Sequence, residues 1–204
     1  QHACKQWTDC CTGAAGPVHF LVANGAMVPT IFLTDKFLLP PPVLPLPIET
    51  QLVTVDVLQD ELPGNGILTI FNAFHHFRLP QRQQLLAQVT ATHRPLWIAE
   101  ITQPNLLSFL VITLTTTIGQ CLLAPLVRPF SWQRILFTYL LPINLISITW
   151  DGWMSVIRSL SAKAFEHHCQ QASTPTYTFQ FVQVGPWWKK VYILTGQPHE
   201  NINT

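Results

Sequence analysis

Five apolar runs, each closed by a polar or turn-forming residue, occupy the first half of the chain. Short apolar runs bounded by turn signals read as buried strands. Trp7 to Cys11 is the first, and Thr30 to Asp35, ending in a carboxylate, is the second. Gln51 to Val57 alternates as a half-buried strand does and contains Asp56. Ile67 to Asn72 is the fourth run, and Pro95 to Ile101 is the fifth, ending at Glu100. Between them the period lengthens. Pro17 suits the first turn of a helix that runs to Asn24, with Gly25 placed for a left-handed cap. Leu85, Leu86 and Val89 fall at helical spacing between Pro80 and Thr92. The stretch Pro40 to Pro47 excludes a helix interior. Strands alternating with helices at this pace predict a mostly parallel sheet.

The later part of the chain is patterned differently. Asn105 to Ala124 carries no charge, long enough for a membrane span, but its centre is Thr113 to Thr117 followed by Gly119 and Gln120. A second apolar run, Ile135 to Trp150, is interrupted by Pro142 and Asn144. A helix from Ser161 to Ala172 follows, then strands Tyr177 to Val184 and Lys190 to Thr195. Joined through Gly185-Pro186-Trp187-Trp188, these two form an antiparallel hairpin at the sheet edge. The expected class is α/β: a mostly parallel Rossmann-like sheet with an antiparallel C-terminal hairpin and an apolar helical insertion. Its parts are residues 1–104, the insertion 105–158, and 159–204, which completes the sheet.

Composition narrows the function. Charged residues are 10% of the 204, against about 25% in ordinary globular chains, so much apolar surface needs a core, a partner or lipid. A net charge of +1 with scattered Lys and Arg offers no basic face, and nucleic acid is not an expected partner. The five cysteines have no C-x-x-C spacing, and Cys10 and Cys11 adjoin inside an apolar strand. They read as reduced core residues, which places the chain in the cytoplasm. No signal segment follows Gln1, and the immediate first strand suggests a fragment or trimmed product.

A glycine-bearing turn after the first strand lets backbone approach a ligand at the carboxyl ends of parallel strands. Thr12 to Gly16 is such a turn. It lacks the Lys-Ser/Thr of a phosphate-binding loop and the G-x-G-x-x-G pattern, which counts against ATP and NAD. A ligand-free tight turn would look the same, so the order of motifs matters more. Asp9, the turn, Asp35, Asp56 and Phe71-Asn72-Ala73-Phe74-His75-His76-Phe77 follow one another.

This order resembles the class I S-adenosylmethionine-dependent methyltransferases, in particular a bacterial branch. The resemblance covers most of residues 7–101 and, more loosely, 161–198. It implies S-adenosyl-L-methionine as cofactor, held by Asp9, Gly13, Ala15, Gly16, Asp35, Asp56 and Asn72. Gly13 and Ala15 would line its methionine part, Asp35 would accept from the ribose hydroxyls, and Asp56 would sit near the adenine. Asn72 to His76 would border the methyl-transfer site. The chain departs from the family pattern at Cys11 and Ala15, where the first and third glycines are usual. The proline-rich stretch also replaces the helix between strands two and three.

His75 and His76 are the candidate catalytic residues, as a general base near neutral pH. A plainer reading has one of them packing and the other capping the next helix. Each Asp is equally a turn former at a strand end. Glu100 faces either the pocket or a solvent turn. No metal is expected, because His75, His76, His167, His168 and Cys169 have no known ligand spacing. The implied activity is methyl transfer to an unidentified hydrophobic small molecule. The alternative is a degenerate methyltransferase fold kept for binding or membrane association. A small integral membrane protein is a third reading.

Two spans at 105–124 and 135–150 would carry Arg128 and Arg134 across the membrane, against the positive-inside rule for a cytoplasmic catalytic domain. Contact with the inner membrane surface through 105–150 fits better, with Trp132, Tyr139, Trp150 and Trp153 at headgroup level. A lid over an apolar substrate, or a dimer face, would use the same residues.

Overall fold

Strand β1 (Gln6–Cys10) is buried from Trp7 onward, and β2 (Thr30–Asp35) from Ile31 to Thr34. Burial of successive residues, rather than alternate ones, marks strands covered on both faces. A computed structural model of the chain describes residues 6–26, 28–37, 48–186 and 190–199. The proline-rich stretch Pro40–Pro47 and the Trp187-Trp188 part of the hairpin turn lie outside them.

The sheet has seven strands in the order β3-β2-β1-β4-β5-β7-β6. The others are β3 (Glu49–Thr54), β4 (Ile67–Phe71), β5 (Leu96–Glu100), β6 (Tyr177–Val184) and β7 (Val191–Pro198). β3, β2, β1, β4 and β5 run parallel to one another, whereas β7 is antiparallel to both β5 and β6. The sheet is therefore the expected one, with its antiparallel hairpin inserted through β7. The expected third strand is too long at its end: β3 stops at Thr54, and Asp56 lies in the following turn. There the Asp56 carboxylate accepts the Leu58 N–H, and a side chain so engaged ends a strand.

Helix α1 (Gly16–Ala23) has Pro17 in its first turn and packs Val18 and Val22 against Trp7, Ile31 and Leu33. Helix α2 (Leu79–Thr92) buries Leu85, Leu86 and Val89, as their spacing predicts, and also Arg82. Buried Arg94 ties the sheet to the loop before β4. Its guanidinium donates to the carbonyls of Leu62, Pro63 and Gly66 and to the Thr8 hydroxyl, and its own carbonyl accepts the Tyr177 hydroxyl.

The chain divides into two compact units. Unit 1 contains the sheet, α1, α2 and α6 (Ala162–Ala172). Unit 2, Thr102–Ser161, is helical: α3 (Leu106–Leu123), α4 (Trp132–Leu140) and α5 (Ile143–Arg158). α4 and α5 meet at an angle of 76°. The Thr116 and Thr149 hydroxyls lie 3.0 Å apart, and Trp153 Nε1 donates to Thr113 Oγ1 at 2.9 Å. These pairs make α3 and α5 antiparallel.

Candidate functional site

Strand order reverses beside β1, which has β2 on one side and β4 on the other. At such a switch point the loops leaving the strands diverge and open a crevice for a ligand. The turn from β1 into α1 has left-handed backbone at three alternate residues: Cys11 at φ 58°, Gly13 at 51° and Ala15 at 53°. These are the first, second and third glycine positions of the pattern noted in the sequence. Cys11 and Ala15 keep the glycine conformation, at a steric cost of about 1–2 kcal/mol each. Nothing lies within 4 Å of where a Cβ would project from Gly13 or Gly16. The turn thus presents bare backbone to open space, and among the described residues no side chain caps α1.

Asp35, at the end of β2, faces this turn. Its Oδ2 accepts the Gly13 N–H at 2.9 Å, and its Oδ1 accepts the Phe37 N–H at 3.0 Å. A carboxylate has about four lone-pair sites, so each oxygen keeps one for a ligand hydroxyl. Asp56 is committed elsewhere. Lys36 Nζ is 2.9 Å from its Oδ2, and this hydrogen bond, with that from Leu58, holds the carboxyl below its ordinary range.

Asp9 is fully buried under the turn. Its Oδ1 accepts the Thr69 hydroxyl at 2.5 Å, and Thr69 in turn accepts Trp7 Nε1 at 2.7 Å. Burial pushes its pKa up to about 7, with Asp35 adding to the rise and the Thr69 bond opposing it. Asp9 therefore supports the turn from below and presents no face to a ligand. Burial likewise pushes the Cys11 thiol up to about 12. Cys10, Cys11, Cys121 and Cys169 are all free thiols.

After β4, Asn72 is left-handed at φ 51°. Its N–H donates to the Ala99 carbonyl at 2.7 Å, and its Oδ1 accepts the Ile101 N–H at 3.3 Å. The next residues, Phe74–His76, form a single 3₁₀ turn. His75 is buried and His76 exposed, with ring centroids 4.4 Å apart. At the start of α2 the Arg78 N–H donates to Gln81 Oε1 at 2.8 Å. His75 Nδ1 is 2.6 Å from Glu100 Oε2, while Glu100 Oε1 accepts the Phe74 N–H at 2.7 Å. With Nδ1–H given to the carboxylate, Nε2 is the ring's acceptor position. Nε2 is buried and has no hydrogen-bond partner among the described residues.

Glu100 faces neither an open pocket nor solvent, because it is consumed by His75 and the 3₁₀ turn. Arg82 completes the arrangement, donating to the carbonyls of Phe74 and His75 and lying 5.6 Å over the Phe74 ring. Sequence reasoning missed Arg82, although its position three residues before Leu85 places it on the buried stripe of α2.

Gly13, Ala15, Gly16 and Asp35 are thus brought together at the β1–β2 ends. Asp9 lies beneath them, and Asp56 is joined to the residue after Asp35. His75 and Asn72 belong to the β4–β5 ends. A cleft of about 680 Å³ in unit 1, between α2 and α6, is lined by residues such as Gln83, Thr90, His168 and Gln171 and by none of these.

No protein-family model matches the chain, and no curated protein matches it by sequence. Solved structures do match by fold. The plantazolicin methyltransferase BpumL in complex with SAH superposes with a TM-score of 0.57 at 8% identity, over 97% of this chain and 77% of that one. The small RNA methyltransferase HEN1 gives 0.58 at 12% identity, over 98% of this chain and 24% of that one. LepI, in complex with SAH and a substrate analogue, gives 0.53 at 12% identity, over 98% and 44%. The chain has the α/β Rossmann-like fold of class I methyltransferases.

Proposed function

We propose that the protein transfers a methyl group from S-adenosyl-L-methionine to a hydrophobic small molecule. The observation that carries this reading is Asp35, aimed at the left-handed Gly13 turn with one lone pair free on each oxygen. That arrangement suits a ribose diol beside a chain of backbone N–H groups. S-Adenosylmethionine supplies a methyl group already bonded to its leaving group, a sulfonium, so positioning provides much of the catalysis. Gly13 and Gly16 give the cofactor room along the turn. The uncapped start of α1 offers N–H groups to its carboxylate. Asn72 shapes the exit of β4, and Asp56 closes the adenine end through Lys36.

For a hydroxyl acceptor, His75 takes the proton at Nε2, with Glu100 fixing the tautomer and His76 covering the ring. Methyl acceptors that lose no proton would not need this base. The low charge of the chain favours an apolar acceptor over nucleic acid. Residues 105–150, rich in exposed apolar side chains, would hold the enzyme at the cytoplasmic face of a membrane where such molecules dissolve.

A non-catalytic fold that binds without transferring is the second reading. It is favoured by the Cβ atoms that Cys11 and Ala15 carry in a turn made for glycine. Incubation with tritiated-methyl cofactor and an organic extract of membrane lipids separates the two. Label entering the organic phase is expected; bound cofactor with no label transferred to any fraction would favour the second reading.

A further inference from the structure

Unit 2 has its polarity inverted. Its buried residues include Ala124, Thr138 and Thr149, while Leu106, Leu122, Trp132, Leu140 and Ile146 are each at least 66% exposed. The seam between its arms combines small and hydroxyl-bearing groups with the stacked rings of Phe109 and Trp153. A Cβ on Gly152 would come within 2.4 Å of Ile112, Thr116 meets Thr149, and Trp153 bonds Thr113. Small and hydroxyl-bearing seams are the solution in hydrocarbon, where apolar contact between helices gains nothing.

The threonines at the centre of α3 make the sequence look poor for lipid, but each hydroxyl is already satisfied. Thr113 donates to the Phe109 carbonyl, Thr115 to Val111, Thr116 to Ile112 and Thr117 to Thr113, at 2.6–2.8 Å. None needs water, and the exposed surface of α3 is apolar in effect.

The dimensions agree. α3 has 18 residues, so at 1.5 Å each it is about 27 Å long, close to the ~30 Å hydrocarbon core of a bilayer. α5 runs antiparallel beside it and α4 turns away by 76°, so α4 lies across the end of the hairpin. That far end carries Phe130, Trp132 and Tyr139, aromatic residues of the kind found at a membrane–water boundary, together with Arg128 and Arg134, which spanning would place against the positive-inside bias. Arg134 donates to the carbonyls of Ala124, Val127 and Pro129, which closes α3 and leaves Arg128 as the cation of the tip. At the near end Arg158 closes α5; exposed Asp151, about 10 Å from that end and about 12 Å from Ile143, lies near the middle of α5, where a charge is costly in hydrocarbon.

We propose that unit 2 is a bilayer-spanning helical hairpin, its outer surface covered by lipid acyl chains and its tip, Pro125 to Tyr139, at the opposite boundary. Both its ends continue into unit 1, so the chain enters and leaves from one side. Spanning presupposes the membrane contact of residues 105–150 but is independent of methyl transfer.

The test uses the full chain translated with endoplasmic-reticulum microsomes, carrying a short flexible tag with an Asn-x-Thr glycosylation acceptor between Arg128 and Pro129. Resistance to alkaline carbonate together with a glycosylated tag is expected. Resistance without glycosylation would overturn spanning in favour of a half-immersed hairpin. Extraction by carbonate, with flotation kept at neutral pH, would overturn spanning and leave surface contact standing. Failure to float would overturn both. Leu114→Arg, on the 55%-exposed face of α3, should abolish carbonate resistance; retention equal to the parent would show that this face does not meet lipid.

Discussion

His75 Nδ1 lies 2.6 Å from Glu100 Oε2 across 25 residues of sequence, and both side chains are sealed from solvent. The pair joins the loop after β4 to the end of β5, and Arg82 pins the intervening carbonyls. Removing the carboxylate leaves the buried His75 Nδ1–H and the Phe74 N–H without an acceptor. Glu100→Ala should therefore cost about 1–3 kcal/mol for each donor in urea denaturation. Glu100→Gln should cost less and stay folded, but its amide can donate to Nδ1. That forces the proton onto Nε2 and removes the base. Methylation of a hydroxyl acceptor should then fall while cofactor binding persists, and unchanged turnover in that variant would remove His75 from the reaction.

Asp9 sets a pH dependence of unusual sign. Its carboxyl is raised to about 7 in the folded chain, against about 4 unfolded. Between those values the folded state holds a proton that the unfolded state has lost, so stability declines as pH rises through that window. The decline is complete above pH 7 and absent below pH 4, with a size on the order of 4 kcal/mol. Asp9→Asn keeps an acceptor for Thr69 and should remove this part of the slope. Denaturation at pH 5 and at pH 7.5 measures it, and equal slopes in parent and variant would contradict the assignment.

Cys11 pays for a glycine conformation without being glycine. Cys11→Gly should raise stability by about 1 kcal/mol through relief of left-handed strain, reduced by whatever packing its half-buried thiol supplies. A thermal melt decides the sign, and a clear loss would mean that the thiol packs better than its exposure indicates. Ala15→Gly should gain less, because the Ala15 methyl is buried.

The strands were legible because parallel, doubly covered strands read as continuous apolar runs; Thr30 to Asp35 matches β2 residue for residue. The glycine turn after β1 and the carboxylate ending β2 were visible one by one, but the hydrogen bond that joins Gly13 to Asp35 spans 22 residues and was not. Contacts between distant segments were hidden. Nothing local announces that Glu100 binds His75, that Arg94 gathers three carbonyls, or that Asp56 pairs with Lys36. The hydrogen bonds of the α3 threonines were hidden as well. The polarity of these side chains is visible in the sequence, but its cancellation by carbonyls one turn back appears only once the helix is formed.

The central claim is that the Gly13 turn and Asp35 hold S-adenosylmethionine. Calorimetric titration of the full chain with S-adenosylmethionine, and with S-adenosylhomocysteine, tests it most directly. Saturable heat is expected, with Asp35→Ala weakening binding by about 1–3 kcal/mol, roughly 5- to 150-fold. No heat from the parent with either compound, or equal affinity in Asp35→Ala, would contradict it.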